Sequence, residues 1–270
     1  MEALVALSLP EPDTTRLPRS PLELVVCQIR FENLLVVSES ATALAFHEAL
    51  GGREGQYPEV EEASTASGNV VIGPGGPTVS ETAKLSGWRF RSGDGAWVVT
   101  LMPDHVALET TAYGAWADAF EPRVGEVISA VAELVKPAFE QRIGLRYIDR
   151  ITELELKNLT EWKQYIRPEL LGAICHPELG PSIRAAQQQL VIEIDDDVRA
   201  NLRHGAVDDP EADTVDYLLD YDIYRQGGRR FDADEIKTTV GQFNAYALQL
   251  FHASITDKLL DYLREDEQGR

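Results

Sequence analysis

Apolar positions in this chain switch between a period of two and a helical period, and the switches mark out its elements. Leu22 to Phe31 (LELVVCQIRF) alternates and is rich in β-branched residues, which predicts a strand. After Ser40, a natural N-cap, ATALAFHEAL repeats at helical spacing and stops at Gly51-Gly52, as a C-cap pair would. Residues 52–85 are loosely patterned. Their Gly-rich run, Gly73 to Pro77, lacks the preceding strand, the following helix and the Lys of a phosphate cradle, so a plain loop is expected. Three short strands follow at Gly87–Arg91, Trp97–Met102 and Val106–Thr111, joined by SGDG and PDH turns. Trp88, Phe90, Val99, Leu101, Ala107 and Glu109 fall on alternating positions, which gives these strands one buried and one polar face. Trp116, Phe120, Val124, Val127, Val131, Leu134 and Phe139 then recur at helical spacing. Pro122 fits the first turn of that helix, and Pro137 ends or kinks it.

The second half runs through the same order. Leu145 to Leu154 reads as a strand, and Thr160 opens a helix that runs to Leu171 and ends at Gly172. Gln189–Ile194, Ala200–Gly205 and Tyr217–Tyr224 read as three strands. Asp232 and Glu235 form a capping box at the head of one long C-terminal helix carrying Ile236, Val240, Phe243, Ala247, Leu250, Ile255, Leu259 and Leu263. The fold class expected is α+β with pseudo-duplicated halves, each strand, helix, three antiparallel strands and long helix. Residues 1–20 form an irregular, Pro-rich lead-in, residues 21–141 the first half and residues 142–270 the second, within one integrated domain. Such halves often leave a groove at their junction.

Charge changes the picture more than composition does. The chain has 270 residues and a net charge of −20, a field that disfavours direct binding to nucleic acid or to an anionic membrane and attracts a basic protein or a cationic ligand. No apolar run is long enough to span a bilayer, and the start of the chain lacks the charge pattern of a signal peptide, so a cytoplasmic protein is expected. Cys27 and Cys175 are then expected as reduced thiols.

The pieces Pro21-Leu22, Trp88-x-Phe90, Leu108-Glu109-Thr110-Thr111-x-Tyr113 with Trp116 and Phe120, and Arg142-Ile143-Gly144-Leu145-Arg146-Tyr147-Ile148-Asp149-Arg150 together carry a resemblance. With them the chain resembles a sporadically distributed bacterial family of uncharacterised proteins of about this length. The likeness spans nearly the whole chain and is most specific over residues 88–150; position 149 departs from it, with Asp in place of Asn. The resemblance implies an α+β fold and a cytoplasmic protein, and its scattered distribution fits defence or toxin–immunity neighbourhoods. It implies no activity.

Three constellations are candidates for chemistry. In the strand RIGLRYIDR, Arg146, Ile148 and Arg150 share one face, and Leu145, Tyr147 and Asp149 the other. Two arginines on one face of a central strand must be paired or must line a wet pocket, and Glu109 is the natural partner. The pocket reading groups Arg146, Arg150, Glu109, Thr111 and Tyr113 around a small anionic ligand. The acidic runs, with Asp195, Asp196, Asp197, Asp208 and Asp209, form a face for a basic protein partner. Asp220 and Asp222 share a strand face and are the best place for a divalent metal in an alternative enzyme reading, a hydrolase or transferase. No motif for zinc, nucleotide or nucleophilic chemistry is present, and no cofactor is expected. The reading that results is a non-catalytic binding module, with a homodimer allowed.

Overall fold

The computed structural model describes the backbone of residues 7–73, 76–152, 154–209 and 214–265, and the side chains of these except 65–73, 76–85 and 208–209. Among the described residues, nine strands form one antiparallel sheet: β1 (Leu22–Phe31), β2 (Glu59–Gly73), β3 (Gly76–Arg91), β4 (Trp97–Met102), β5 (His105–Thr110), β6 (Phe139–Ile151), β7 (Ala186–Glu193), β8 (Val198–Asp209) and β9 (Thr214–Arg230). Their order across the sheet is β2-β3-β4-β5-β1-β6-β9-β8-β7. The protein is α+β. β5 turns back to pair with β1, β9 turns back to pair with β6, and β1 and β6 are antiparallel neighbours at the centre.

Helices α1 (Ser40–Ala49), α2 (Glu121–Ala130), α4 (Ala233–Ser254) and α5 (Asp257–Arg264), with the short α3 (Pro168–Leu171), supply the rest of the core. Val25, Cys27 and Ile29 of β1 and Ile143 and Leu145 of β6 are buried in one cluster with Phe46, Val124, Val127, Val240 and Phe243. Alternation puts these strand residues on one face, because the side-chain period of a strand is two. The other face of the central strands carries half-buried and polar side chains.

Several sequence expectations change, among them the Ser40 cap: Ser40 is the first residue of α1, and Glu39 precedes it without a side-chain cap. Residues 52–85, loosely patterned in sequence, hold most of a long hairpin: β2 and β3 pair along their length, and Gly73, Gly76 and Pro77 of the run expected as a plain loop belong to the two strands. β2 is an edge strand whose Glu59, Glu61, Glu62 and Ser64 are exposed, so no apolar alternation is needed to place it. Pro74 and Gly75 of the Gly-rich run lie outside the described residues. The helix expected from Trp116 to Phe139 is α2 flanked by one wide turn at each end, Trp116–Phe120 and Val131–Val135. Lys136 then takes a left-handed conformation (φ 53°) ahead of Pro137, and Phe139 opens β6, where the Glu32 carboxylate accepts from the Ala138 and Phe139 amides at 2.6 and 3.1 Å.

The Thr160 helix is instead a tight turn over Leu159–Gln164, capped by Asn158 and Glu161, and then α3. The C-terminal helix is two. Ile255 is extended and bridges to Ile166, and Thr256 caps α5, so a tertiary contact overrides the helical period at that point. Asp232 caps α4 as expected, accepting from the Asp234 and Glu235 amides, but the Glu235 side chain turns to Arg225 and Arg229. Cys27 and Cys175 are free thiols.

Candidate functional site

The arginines of β6 find their partners on β9. Arg142 reaches both carboxylate oxygens of Asp222 at 2.8 and 2.9 Å, Arg146 those of Asp220 at 2.6 and 2.7 Å, and Arg150 meets Asp216 at 2.7 Å. Arg203 of β8 contacts Asp220 from the other side at 3.4 Å. Asp216 and Asp220 are buried, so these pairs neutralise carboxylates that would otherwise be costly to hold. The guanidinium of Arg142 lies over Gly144, 2.3 Å from where a Cβ would stand, and over the ring of Tyr224, 4.8 Å from its centroid.

Glu109 is not the partner of Arg146. Glu109 stands opposite Val26, and Val26 opposite Arg146. One strand therefore intervenes, and the two backbones lie roughly 10 Å apart. Glu109 has no ion pair among the described residues. Tyr113 leaves this face altogether: its ring packs edge-on to Tyr147 and against Phe120, on the helix side of the sheet. Thr111 is exposed at the end of β5. The five residues grouped from sequence thus fall on two faces. Asp220 and Asp222, proposed for a metal, have their oxygens committed to guanidinium groups, a donor set that suits an ion-pair ladder. Among the described residues no group of His, Cys, Asp and Glu is arranged to hold a metal ion.

The acidic loop after β7 is partly a structural turn. The Asp195 carboxylate accepts from the Asp197 and Val198 amides at 2.9 and 2.8 Å, and Asp197 pairs with Arg229 at 2.5 Å. Asp196 is exposed. Asp208 and Asp209 end β8, and their side chains lie outside the described residues.

The concave site is on the helix side of β6. A cavity of about 490 Å³ is bounded by Tyr147 and Asp149 of β6, Tyr221 of β9, Tyr113 and Trp116 before α2, Asn244, Ala247, Leu248 and Phe251 of α4, and residues 14–18 and 20–22 near the start of the chain. Its floor is set by the alternation that puts Tyr147 and Asp149 on one face, and its wall by α4, which presents residues 244, 247, 248 and 251 at helical spacing. Tyr147 donates from its hydroxyl to Asn244 Oδ1 at 2.7 Å, fixing strand against helix. The lead-in is held by Asp13, which pairs with Arg264 at 2.5 Å and accepts at its carbonyl from His252 at 3.2 Å, and by Arg19, which packs over Tyr262 and pairs with Glu265.

Asp149 is the anomaly of this cavity. It is 6% exposed, and among the described residues it makes no hydrogen bond and no ion pair. Burial, with the charge of Glu23 added, pushes its carboxyl up to about 7. Burial also raises the phenols of Tyr113, Tyr147 and Tyr221, so all three stay protonated near neutral pH. The Tyr221 hydroxyl is buried with no hydrogen-bond partner among the described residues.

No family model and no curated protein matches the chain. Among solved structures, the S. pombe Pct1 RNA triphosphatase aligns over 93% of this chain and 87% of its own, at 10% identity and a TM-score of 0.14. A score that low carries neither fold nor function, and the site stands on its own geometry.

The sequence pattern does not single out Asp149, Asn244, Tyr221 or Phe251 as site residues, yet all four line the cavity. A signal for Asp149 was present: a carboxylate on the apolar face of a central strand, beside Leu145 and Tyr147. Nothing local marks Asn244 or Phe251, which reach the cavity only because α4 crosses β6.

Proposed function

We propose that this protein is a non-catalytic, cytoplasmic binding module of two repeated α+β halves that holds a small molecule in the cavity beneath α4. The duplication reading is supported by the matching way in which β5 closes on β1 and β9 on β6. The observation that carries the ligand reading is Asp149: a carboxyl on a buried residue, without a hydrogen bond or ion pair among the described residues, on the wall of a half-open cavity. Burying a carboxylate without a partner is costly, so a carboxyl left unpaired on a cavity wall marks a place where a ligand group can supply the partner. Volume supports the same reading, since ligand pockets commonly run from about 300 to 1,000 Å³. The arginine pocket inferred from sequence receives less support, because its guanidinium groups already hold Asp216, Asp220 and Asp222.

Ligand-observed NMR with a library of aromatic fragments tests the reading. Leu248 lines the cavity and is only half-buried, so Leu248→Trp fills the space at modest cost to the fold. Fragments that bind the parent protein and are lost in Leu248→Trp are expected; fragments that bind both proteins alike would contradict the proposal.

A further inference from the structure

We infer that the ligand of this cavity is a small organic amine whose charged nitrogen meets the Asp149 carboxylate while aromatic rings enclose its carbon skeleton. This rests on the cavity being a ligand site and names the chemistry it selects. Three observations converge on it. The unmet hydrogen-bonding capacity on the cavity wall includes two acceptors: the Asp149 carboxylate, whose oxygens take no hydrogen bond among the described residues, and Asn244 Oδ1, which takes one hydrogen bond and has a lone pair left. An ammonium group offers three donors and no acceptor, which complements that set. The walls include Tyr113, Trp116 and Phe251, and aromatic faces attract cations more strongly where water is excluded.

The charges around the site point the same way. Glu23 lies close enough to disfavour ionisation of Asp149, and an anionic ligand would add a further negative charge there. Arg16 is the one cationic side chain on the cavity wall among the described residues; it is exposed and makes no ion pair with Asp149. The three tyrosines stay neutral. The field of a chain with a net charge of −20 also concentrates cations near its surface.

Isothermal titration of the full chain at pH 8 and low salt, with 2-phenylethylamine, its neutral isostere 2-phenylethanol and the anion phenylacetate, tests the inference. The amine is expected to bind at least tenfold more tightly than the alcohol. Asp149→Asn should erase that preference while the alcohol still binds, which also shows that the variant is folded and its cavity intact. Equal or tighter binding of the alcohol or of phenylacetate would overturn the amine assignment and leave the cavity reading standing. If none of the three binds the parent protein, both fall.

Discussion

Arg146 and Asp220 form a two-bond ion pair across β6 and β9, at 2.6 and 2.7 Å, although the residue directly opposite Arg146 is Asp222. Each guanidinium of the row leans the same way along the sheet: Arg142 reaches forward to Asp222, Arg146 to Asp220 and Arg150 to Asp216. The strands are thereby tied diagonally, and a slip in register would break all three ties together.

The ladder predicts unequal losses. Arg146→Ala leaves Asp220 with Arg203 and should cost about 1–2 kcal/mol, since the Arg146 side chain is 38% exposed. Adding Arg203→Ala strips the buried Asp220 of both cations and should bring the total to roughly 3–5 kcal/mol. Urea denaturation of the two single variants and the double variant checks this, and strict additivity of small losses would refute it.

Gly144 is needed for the space above it. A Cβ there would stand 2.3 Å from Arg142 Nη1, so Gly144→Ala must displace the guanidinium from Asp222. A loss of about 1–3 kcal/mol is expected. In an Arg142→Ala background the same change should cost much less, which chemical denaturation of the double-mutant cycle reads directly.

A second buried pair sits under the start of α4. Arg225 donates to Glu140 at 2.8 Å and to Glu235 at 3.1 Å, and both Arg225 and Glu140 are almost fully enclosed. Arg225→Met alone leaves Glu140 uncompensated and should cost about 3–5 kcal/mol, and Arg225→Met with Glu140→Leu should recover most of that. Equilibrium unfolding of the single and double variants decides it.

Asp149 makes stability depend on pH with a definite sign. Well below the ordinary value of 3.8 the carboxyl is protonated in folded and unfolded chains alike and carries no penalty. As pH rises from the ordinary value of 3.8 to about 7, the unfolded chain has lost a proton that the folded one keeps, so stability falls; above about 7 the penalty is constant. At about 1.4 kcal/mol per unit, the penalty has an upper bound of about 4.5 kcal/mol. Asp149→Asn should therefore match the parent near pH 3 and melt higher at pH 8. A variant whose melting advantage does not change with pH would show that Asp149 is not desolvated.

Much of the fold was legible because strand and helix periods are local. Val25, Cys27 and Ile29 announce β1, and Phe243, Ala247 and Leu250 announce α4. What could not be read was set by long-range contacts. The break at Ile255 depends on Ile166, eighty-nine positions earlier, and β2 depends only on pairing with β3. The partner of Arg146 is not legible locally, because the order of strands decides which carboxylate lies beside it: with β1 between β5 and β6, Glu109 is one strand too far. The face shared by Tyr147 and Asp149 was plain from alternation. Its meaning emerged only when α4 and the lead-in enclosed it.

The carboxyl of Asp149, followed by ¹³C NMR across pH 3–9, is the most direct test of the account. A titration midpoint near 7 in the free protein, moving down when 2-phenylethylamine saturates the cavity, is the predicted result. A midpoint near the usual 4, unmoved by the amine, would mean that Asp149 is already solvated or paired, and would contradict the account.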